Sequence, residues 1–542
     1  MLDRLLLSSR NFAPIFALLL TGYDSQVAWL AVIVCLLAAL WKRPGPILHL
    51  VDFLSHHPFG VALTGVALMG LGSIFIYHSY PFSMDEYAAV FQSKIFASGR
   101  VVAQLPPTMI DWLVTPDFHG GFLTASSETG QTIERYWPGF SLLLAPCEFL
   151  NVPWLCNALL GGGAIYLLHR ITFEITGDRR AAGWAILFAV ASGVFFADAI
   201  SYYSMQAHLT LNLLFAWLLL RPTRSRAVAA GFVGSFALVL HNPFPHFLFA
   251  LPWIVTIAVN KDARQFMGPL IAGYLPLTLG VGLGWIILTG SIAPVAHGVA
   301  LVPAPTSGVF SWPNLNILNM RAAALAKMSV WAVPGLFVLA ATGWLRLRDN
   351  PQVRLLTQSA ALTFLGYLFV NLDQGHGWGY RYFHSAWGVI PILAACAMTG
   401  RPETDGRLKS FAGAACILSL LIIVPFQMHQ IEHIISRHLN ELPPPVRPGN
   451  DIFFVSTTTG FYLVDMIQND PLLRAPDLLL ASHGADADAE LRRRLWPNAK
   501  KIRDGRWGEQ WYLGPIDQRV PTAAGSDDKR WSFGLNAPGR SP

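Results

Sequence analysis

The chain carries little charge and none of the short catalytic motifs of the common soluble enzymes. Only 13% of its 542 residues are charged while 53% are hydrophobic, and the mean hydropathy is +0.43. No His-Glu-x-x-His, Gly-x-Ser-x-Gly or glycine-rich phosphate-binding run occurs, which excludes the familiar zinc-protease, serine-hydrolase and P-loop chemistries. A composition this apolar exceeds that of soluble domains and predicts a protein with many membrane spans.

Cysteine is scarce and follows no recognisable pattern. The five cysteines form no CxxC pair and no metal-ligand spacing, and all lie in or beside apolar stretches, so we interpret them as small buried residues. The net charge of +6 does not indicate a nucleic-acid partner, because the basic residues are scattered over short loops and do not cluster with aromatic residues.

Long apolar runs recur along the chain, and basic residues occupy every second loop between them. Runs of about 15 to 24 residues are close to the roughly 20 needed to cross a bilayer, and loops rich in Lys and Arg face the cytoplasm. We predict an all-α polytopic membrane protein with about 12 or 13 transmembrane helices and a cytoplasmic N-terminus. The runs lie at 27–41, 59–80, 150–168, 181–198, 204–220, 227–241, 245–259, 268–289, 322–345, 355–371, 385–400 and 408–428, with 11–21 as the thirteenth.

Composition divides the chain into four parts. Residues 1–58 form extra N-terminal membrane segments, and residues 59–429 form a transmembrane module with a long outer loop at 81–149. A βα alternation predicts a small αβ extracytoplasmic domain over 448–516, followed by a flexible tail at 517–542. A second long outer loop is predicted at 290–321. In the C-terminal domain we predict strands at 452–455, 478–480 and 510–513, and helices at 461–468 and 488–495.

The stretch at 81–100 is the most informative one, because two adjacent carboxylates follow an apolar span and open the first outer loop. A helix that begins at Met84 places its apolar residues on one stripe, so we expect it to lie flat on the membrane, and Gly99 ends it. Asp85 and Glu86 are about 100° apart around such a helix and cannot face the same atom. Ser83 and Glu86 also fit a capping box, which keeps helix capping open as an alternative for Glu86.

A second constellation lies in an outer loop before a late span, where Arg381 stands between Tyr380 and Tyr382. A guanidinium group at a membrane boundary suits a lipid phosphate, which it binds in a bidentate manner. The alternative is an aromatic belt with a snorkelling arginine.

These features together resemble the glycosyltransferase C superfamily, in particular the branch of the protein O-mannosyltransferases and lipid A aminoarabinose transferases (glycosyltransferase family 39-like). The resemblance implies an inverting glycosyltransferase of the inner or plasma membrane. Its sugar donor is linked to polyprenyl phosphate, and its acceptor is a lipid, glycan or protein on the extracytoplasmic (periplasmic) face. Asp85 is then the general base, and Arg381 with its two tyrosines holds the donor phosphate. The lysine-bearing motif expected of the aminoarabinose transferases is missing, which leaves the donor sugar open.

Several other polar residues are candidates for the same site. Glu86 is assigned to acceptor positioning or a metal, and a divalent metal ion is the one cofactor left open. The tight outer turn at 240–246 offers His241 and His246 for the donor phosphate, although its two prolines also fit an ordinary turn. Further candidates for substrate binding are Tyr87, Lys94, Arg135 and His376.

Three other functions stay open. A lipid or solute transporter or flippase also needs many spans and charge within the membrane, but paired broken helices in two matching halves are not evident. A scaffold of envelope assembly would use the Asp-Glu pair for capping alone. A glycan ligase with a pyrophosphate-linked donor differs from the preferred reading in the number of phosphates on its donor.

Overall fold

The computed structural model describes residues 14–42, 45–115, 120–292, 309–399, 406–446 and 450–514. Within these ranges the chain is predominantly helical and ends in a small β-sheet region. The helices of the N-terminal half are α1 (Ile15–Leu40), α2 (Gly45–His56), α3 (Pro58–Phe75), α4 (Met84–Ala97), α5 (Ile110–Leu113), α6 (Gly139–Phe149), α7 (Leu155–Thr176), α8 (Arg179–Val190), α9 (Gly193–Ile200), α10 (Met205–Leu220), α11 (Arg224–Leu238) and α12 (Phe244–Val259).

The helices of the C-terminal half continue this bundle. They are α13 (Arg264–Ile292), α14 (Leu315–Val330), α15 (Leu336–Leu347), α16 (Pro351–Gly366), α17 (Arg381–Trp387), α18 (Val389–Cys396), α19 (Gly406–Leu439) and α20 (Ala485–Leu495). Half of the predicted 290–321 loop, residues 293–308, and all of the predicted 517–542 tail lie outside the described residues.

The described helices match the prediction of a polytopic membrane protein. Four of them, α1, α3, α13 and α19, are long and apolar enough to cross a membrane, and α8 with α9 forms a further candidate bent by 64°. Other predicted runs coincide with shorter helices, such as the 16-residue α10 and α12. A helix of that length rises about 24 Å, short of the roughly 30 Å hydrocarbon core. Non-helical backbone at that depth is tolerated where it is buried in protein.

Three details of the helix prediction are wrong. The runs at 11–21 and 27–41 belong to one helix, α1, because the chain continues through Asp24 as a π-helical turn. The run at 322–345 is two helices, since Pro334 lacks an N–H group and Gly335 adopts a φ of 84° between them. Helix α2 was not predicted, because His49, Asp52, Ser55 and His56 interrupt its apolar residues.

The β-strands form two sheets on the outer loop and the C-terminal region. The small antiparallel sheet has the order β1 (Ala103–Gln104), β3 (Gln131–Glu134), β2 (Leu123–Ala125). The larger sheet has the order β5 (Leu478–Ala481), β4 (Asn450–Val455), β7 (Gly508–Gly514), β6 (Lys500–Gly505), with β4 and β5 parallel and the other pairs antiparallel. The three predicted strands and the helix at 488–495 are present, and β6 was missed. The predicted helix at 461–468 is wrong, because only the 3-10 turn Leu463–Met466 forms there.

The outer loop and the C-terminal sheet share one hydrophobic core. The apolar stripe of α4, which includes Met84 and Phe91, packs in a single cluster with Ile452 and Phe454 of β4 and with Leu480 of β5. The predicted helix and its end at Gly99, with a φ of 76°, are therefore correct, but its apolar stripe faces the C-terminal sheet and not the membrane. This packing brings the C-terminal domain directly over the Asp85 region.

Candidate active site

The structure joins the two constellations that the sequence keeps far apart. Nη2 of Arg381 lies 3.0 Å from Oδ2 of Asp85 and donates a hydrogen bond to it. The Arg381 side chain is 4% exposed and the Asp85 side chain 24% exposed, so the pair is accessible from the Asp85 side. One carboxylate and one guanidinium group thus meet at the boundary between the helical bundle and the outer loop.

Asp85 is held in its ionised form by its surroundings. The Tyr136 hydroxyl donates to Oδ1 of Asp85 over 2.6 Å, and the Tyr136 ring packs on His241 with a centroid distance of 3.8 Å. Burial alone would raise the pKa of the Asp85 carboxyl, but the charge of Arg381 and the Tyr136 hydrogen bond outweigh it, and the pKa lies below its ordinary value. Asp85 is therefore ready to accept a proton once its partners are drawn away.

Arg381 is fixed by the loop that precedes it. Its backbone N–H donates to the side-chain oxygen of Gln374 over 2.9 Å, and its guanidinium group donates to the Gln374 carbonyl. The guanidinium carbon also lies 4.2 Å from the ring centroid of Tyr203, a cation–π contact that adds to these hydrogen bonds. A Cβ atom at Gly377, whose φ is 107°, would collide with the Arg381 side chain. Only glycine therefore lets the loop wrap this closely around the arginine.

The two tyrosines beside Arg381 support the loop through their hydroxyl groups. The Tyr382 hydroxyl donates to the carbonyl of Asp373 over 2.7 Å, and its ring stacks on Tyr367 at 4.9 Å. The Tyr380 hydroxyl accepts a bond from the buried Arg321, 3.3 Å away. The hydroxyls of both tyrosines are thus engaged with protein groups, and the guanidinium carbon of Arg321 lies 5.5 Å from the ring centroid of Tyr382.

Glu86 points into the protein, away from Asp85. Its carboxylate accepts backbone N–H bonds from Ser83 at 3.1 Å and from Tyr202 at 2.8 Å, and the residue is fully buried. This geometry supports the capping alternative. Burial is the main cause that raises the pKa of Glu86 to about 7, against the lowering effect of these hydrogen bonds.

We expect Glu86 to make the stability of the protein depend on pH. The pKa of Glu86 is about 7 in the folded state, against an ordinary value of 4.5. The contribution of the protonated carboxyl to the free energy of unfolding is therefore fully present below pH 4.5 and is lost as the pH rises through 7. The loss is on the order of 3 kcal/mol. The variant Glu86→Gln loses one of the two acceptor oxygens of the carboxylate, and its side chain does not titrate. The gap in melting temperature between wild type and variant should narrow from pH 4.5 to 8 in detergent.

A matched control completes this test. Glu490→Gln, on an exposed face of α20, should leave the pH profile of the melting temperature unchanged. A gap between wild type and Glu86→Gln that stays constant over the same pH range would contradict the buried, titrating carboxyl.

The remaining predicted site residues are spread over different surroundings. His246 is fully buried, with its ring nitrogens 2.7 Å from both Asn212 Oδ1 and the Tyr274 hydroxyl. The Tyr87 hydroxyl donates to the Asn469 carbonyl over 2.6 Å. Lys94 lies half-buried in the last turn of α4, and Arg135 is half-buried next to Tyr136. The candidate active site, called the centre from here on, thus brings together Asp85, Arg381, His241 and His376.

Sequence reasoning missed three groups that complete the centre. Tyr136 and Gln374 hold Asp85 and Arg381, and Asp465 of the C-terminal region lies beside His376. The glycines at 375, 377 and 379 were the available signal for a loop packed closely on Arg381. Within the described ranges, no group of three or more His, Cys, Asp or Glu side chains is placed to hold a metal ion.

Comparison with solved structures identifies the fold. The chain is similar to ArnT from Cupriavidus metallidurans bound to undecaprenyl phosphate, with a TM-score of 0.52, 12% identity, and coverage of 84% of this chain and 97% of that one. The apo state of the same protein gives a TM-score of 0.50, 11% identity, and coverage of 85% and 99%. No protein-family model and no curated protein sequence matches the chain. The chain therefore shares the fold of ArnT over most of its length, and the predicted polytopic, mostly helical fold is confirmed.

Proposed function

We propose that this protein is an integral-membrane inverting glycosyltransferase that moves a sugar from a polyprenyl-phosphate donor to an acceptor on the extracytoplasmic face. The ion pair of Asp85 and Arg381 carries the proposal, because it unites a base and a phosphate-binding cation at one point. The ArnT structure with undecaprenyl phosphate supports the ligand class, since its fold extends over most of this chain. The alternation of basic loops supports a position of the candidate active site on the extracytoplasmic side.

The proposed reaction is a single displacement. Arg381 binds the oxygens of the donor phosphate, and Asp85 removes the proton from an acceptor hydroxyl as its oxygen attacks the anomeric carbon. The bond between that carbon and the phosphate oxygen breaks, and polyprenyl phosphate leaves with the electron pair. Attack from the side opposite the leaving group inverts the configuration at the anomeric carbon.

Donor binding itself makes Asp85 a better base. In the free protein Arg381 pairs with Asp85 and keeps the pKa of the carboxyl low. A phosphate that engages the guanidinium group weakens this pairing and adds a negative charge nearby, and both changes raise the affinity of Asp85 for a proton. The base therefore becomes effective when the donor is in place.

The neighbouring residues divide into those that face the substrates and those that hold the framework. We assign His241, packed on Tyr136, and Arg135 to the donor side of the centre. Glu86, Tyr87 and His246 belong to the framework, because their polar atoms are engaged in buried hydrogen bonds. The acceptor is a lipid, a glycan or a protein, and membrane lipids surround the enzyme.

The decisive experiment is a transfer assay with purified protein. Radiolabelled sugars on short polyprenyl monophosphates are offered together with a crude membrane-lipid extract, with and without a chelator. We expect transfer from at least one monophosphate donor. If the chelator abolishes transfer and added divalent metal ions restore it, a metal ion takes part in the reaction.

The rival functions give different results in the same assay. A glycan ligase would use only pyrophosphate-linked donors, so these form a parallel arm. A transporter or flippase would move the lipid between the leaflets of a vesicle without transferring sugar. Absence of transfer from every monophosphate donor, with intact folding, would overturn the proposal.

A further inference from the structure

A second buried guanidinium group lies beside the candidate active site, and it belongs to Arg321 of α14. Arg321 is 2% exposed. Its Nη2 atom donates hydrogen bonds to the carbonyls of Val370 and Leu372 over 2.7 and 2.6 Å, and its Nη1 atom donates to the Tyr380 hydroxyl over 3.3 Å. Its Nε atom is buried and has no hydrogen-bond partner within the described ranges. These three partners are all neutral, so they solvate the charge of Arg321 without neutralising it.

The charge of Arg321 has no counter-charge in the part of the chain that the structure describes. Arg381 and Lys327, two other buried cations, pair with carboxylates over 3.0 and 2.6 Å, whereas Arg321 forms no ion pair there. The predicted outer loop at 290–321 contains no Asp or Glu in its sequence, so it cannot supply one either. A buried charge without a partner is costly, and such a charge in a membrane protein usually marks a functional site. Arg321 therefore has the property expected of a cation whose anionic partner is a ligand.

Arg321 contacts both tyrosines that flank Arg381 in the sequence. Besides its hydrogen bond to Tyr380, its guanidinium carbon lies 5.5 Å from the ring centroid of Tyr382. The charges of Arg321 and Arg381 both act on the Tyr382 hydroxyl. Because Arg321, Tyr380 and Arg381 are buried, protein and not water lies between the two cations, and charges interact more strongly in protein. A negative charge bound at Arg381 therefore also interacts with Arg321.

The charges of the free protein favour an anion at this point. Asp85 and Arg381 compensate one another, and Arg321 adds a positive charge that has no carboxylate beside it. The donor is a singly charged phosphate diester, and the lipid phosphate that leaves is a monoester with a charge of about −1.5 to −2 at pH 7. Both lipids complement the charge of Arg321, whereas an uncharged lipid would leave it unopposed.

We propose that Arg321 is a second cation of the donor site, and that its charge attracts the phosphate of the donor lipid across Tyr380 and Tyr382. Arg321 is a positioning residue, because it does not bond to the lipid and its charge adds to that of Arg381, which does. This inference rests on the proposed glycosyl transfer. Helix α14 then takes part in the recognition of the donor, although no residue of this helix was among the predicted site residues.

The test compares two lipids that differ only in the phosphate group, undecaprenyl phosphate and undecaprenol. The Kd of each lipid is measured with the purified protein in detergent, and the ratio of the two values is the phosphate preference. Arg321→Gln keeps a hydrogen-bond donor but removes the charge. It should lower the phosphate preference about tenfold, the effect of a unit charge roughly 10 Å away at an effective dielectric constant of about 20. The Kd for undecaprenol should stay unchanged.

Two further variants separate the charge of Arg321 from its structural support of the loop. Arg321→Lys keeps the charge and should retain most of the phosphate preference. A side chain that only held the carbonyls of Val370 and Leu372 would, when replaced by glutamine, weaken the binding of both lipids equally. Arg503→Gln, on the exposed strand β6, is the matched control, since it removes one surface charge and should change neither Kd.

The double variant Asp85→Asn with Arg381→Gln tests the inference without any change at Arg321. It removes the compensated pair and leaves Arg321 as the nearby cation, so it should keep about a tenfold preference for undecaprenyl phosphate. This measurement decides the question if Arg321→Gln does not fold. Complete loss of the preference in the double variant, or an unchanged preference in Arg321→Gln, would overturn the inference. So would an equal loss of affinity for both lipids that lysine does not restore.

These binding measurements keep the inference separate from the proposed function. A wild type that prefers undecaprenyl phosphate but transfers no sugar would refute the proposed transfer alone, and the variants would still test Arg321. A wild type that transfers sugar, with an Arg321→Gln variant that keeps the full phosphate preference, would refute the inference alone. Equal affinities of the wild type for the two lipids would contradict both.

Discussion

Replacement of Asp85 by asparagine should reduce sugar transfer by a factor of about a hundred to ten thousand, the usual contribution of a general base. Asparagine keeps the size of the side chain and can still accept the hydrogen bond of the Tyr136 hydroxyl, but it cannot take up a proton. The loss should appear in kcat, because Asp85 acts on the acceptor hydroxyl and not on the donor. Transfer assays under single-turnover conditions measure it directly.

Replacement of Arg381, the proposed phosphate-binding residue, should impair lipid binding and not only the chemical step. Arg381→Gln should weaken the binding of undecaprenyl phosphate itself, since it removes the cation that holds the phosphate. Asp85→Asn should leave that binding intact or strengthen it, because the guanidinium group loses its competing carboxylate. Asp111→Asn, an exposed carboxylate of the same outer loop, is the control and should retain full transfer. Transfer by Asp85→Asn at the wild-type rate would show that another group is the base.

The two candidate residues Asp85 and Arg381 could be singled out from the sequence, but their contact could not be predicted. Asp85 and Arg381 both stand at predicted membrane boundaries near aromatic residues, and Arg381 also follows three glycines. A charged residue in such a position is usually functional. Their contact joins two motifs 296 positions apart, which no local pattern encodes. Tyr136 and Asp465 were missed for the same reason, because they reach the centre only through tertiary contacts.

Helix α4 shows that the period of the apolar residues predicts a helix but not the surface against which it packs. The stripe that includes Met84 and Phe91 correctly predicted an amphipathic helix, but the pattern states only that one face is covered. The cover is the C-terminal sheet, through Ile452 and Phe454, and not the membrane. Glu86 is a similar case, since its sequence position fits both a capping box and a site residue, and only the structure shows that its carboxylate accepts the backbone N–H groups of Ser83 and Tyr202.

Asp24 in α1 is the clearest example of a residue that the sequence could not place. This charge lies between the two predicted runs at 11–21 and 27–41. In the structure the carboxylate of Asp24 lies 2.6 Å from Nζ of Lys327 in α14, and the side chains are 3% and 0% exposed. The Trp331 indole donates to its other oxygen over 2.7 Å. The helix continues through the charge because the charge is neutralised.

Asp24→Ala should therefore lower the free energy of unfolding by about 3 to 5 kcal/mol, because it leaves Lys327 buried and uncompensated. Lys327→Met should cost a similar amount through the unpaired carboxylate. The double variant Asp24→Leu with Lys327→Met removes both charges and should recover most of the stability, since a buried ion pair contributes little net stability over apolar residues of similar size. Melting temperatures in detergent, with Trp331→Phe as a milder variant that removes one hydrogen bond, measure the series. A double variant as unstable as either single one would show that the pair serves a role beyond mutual neutralisation.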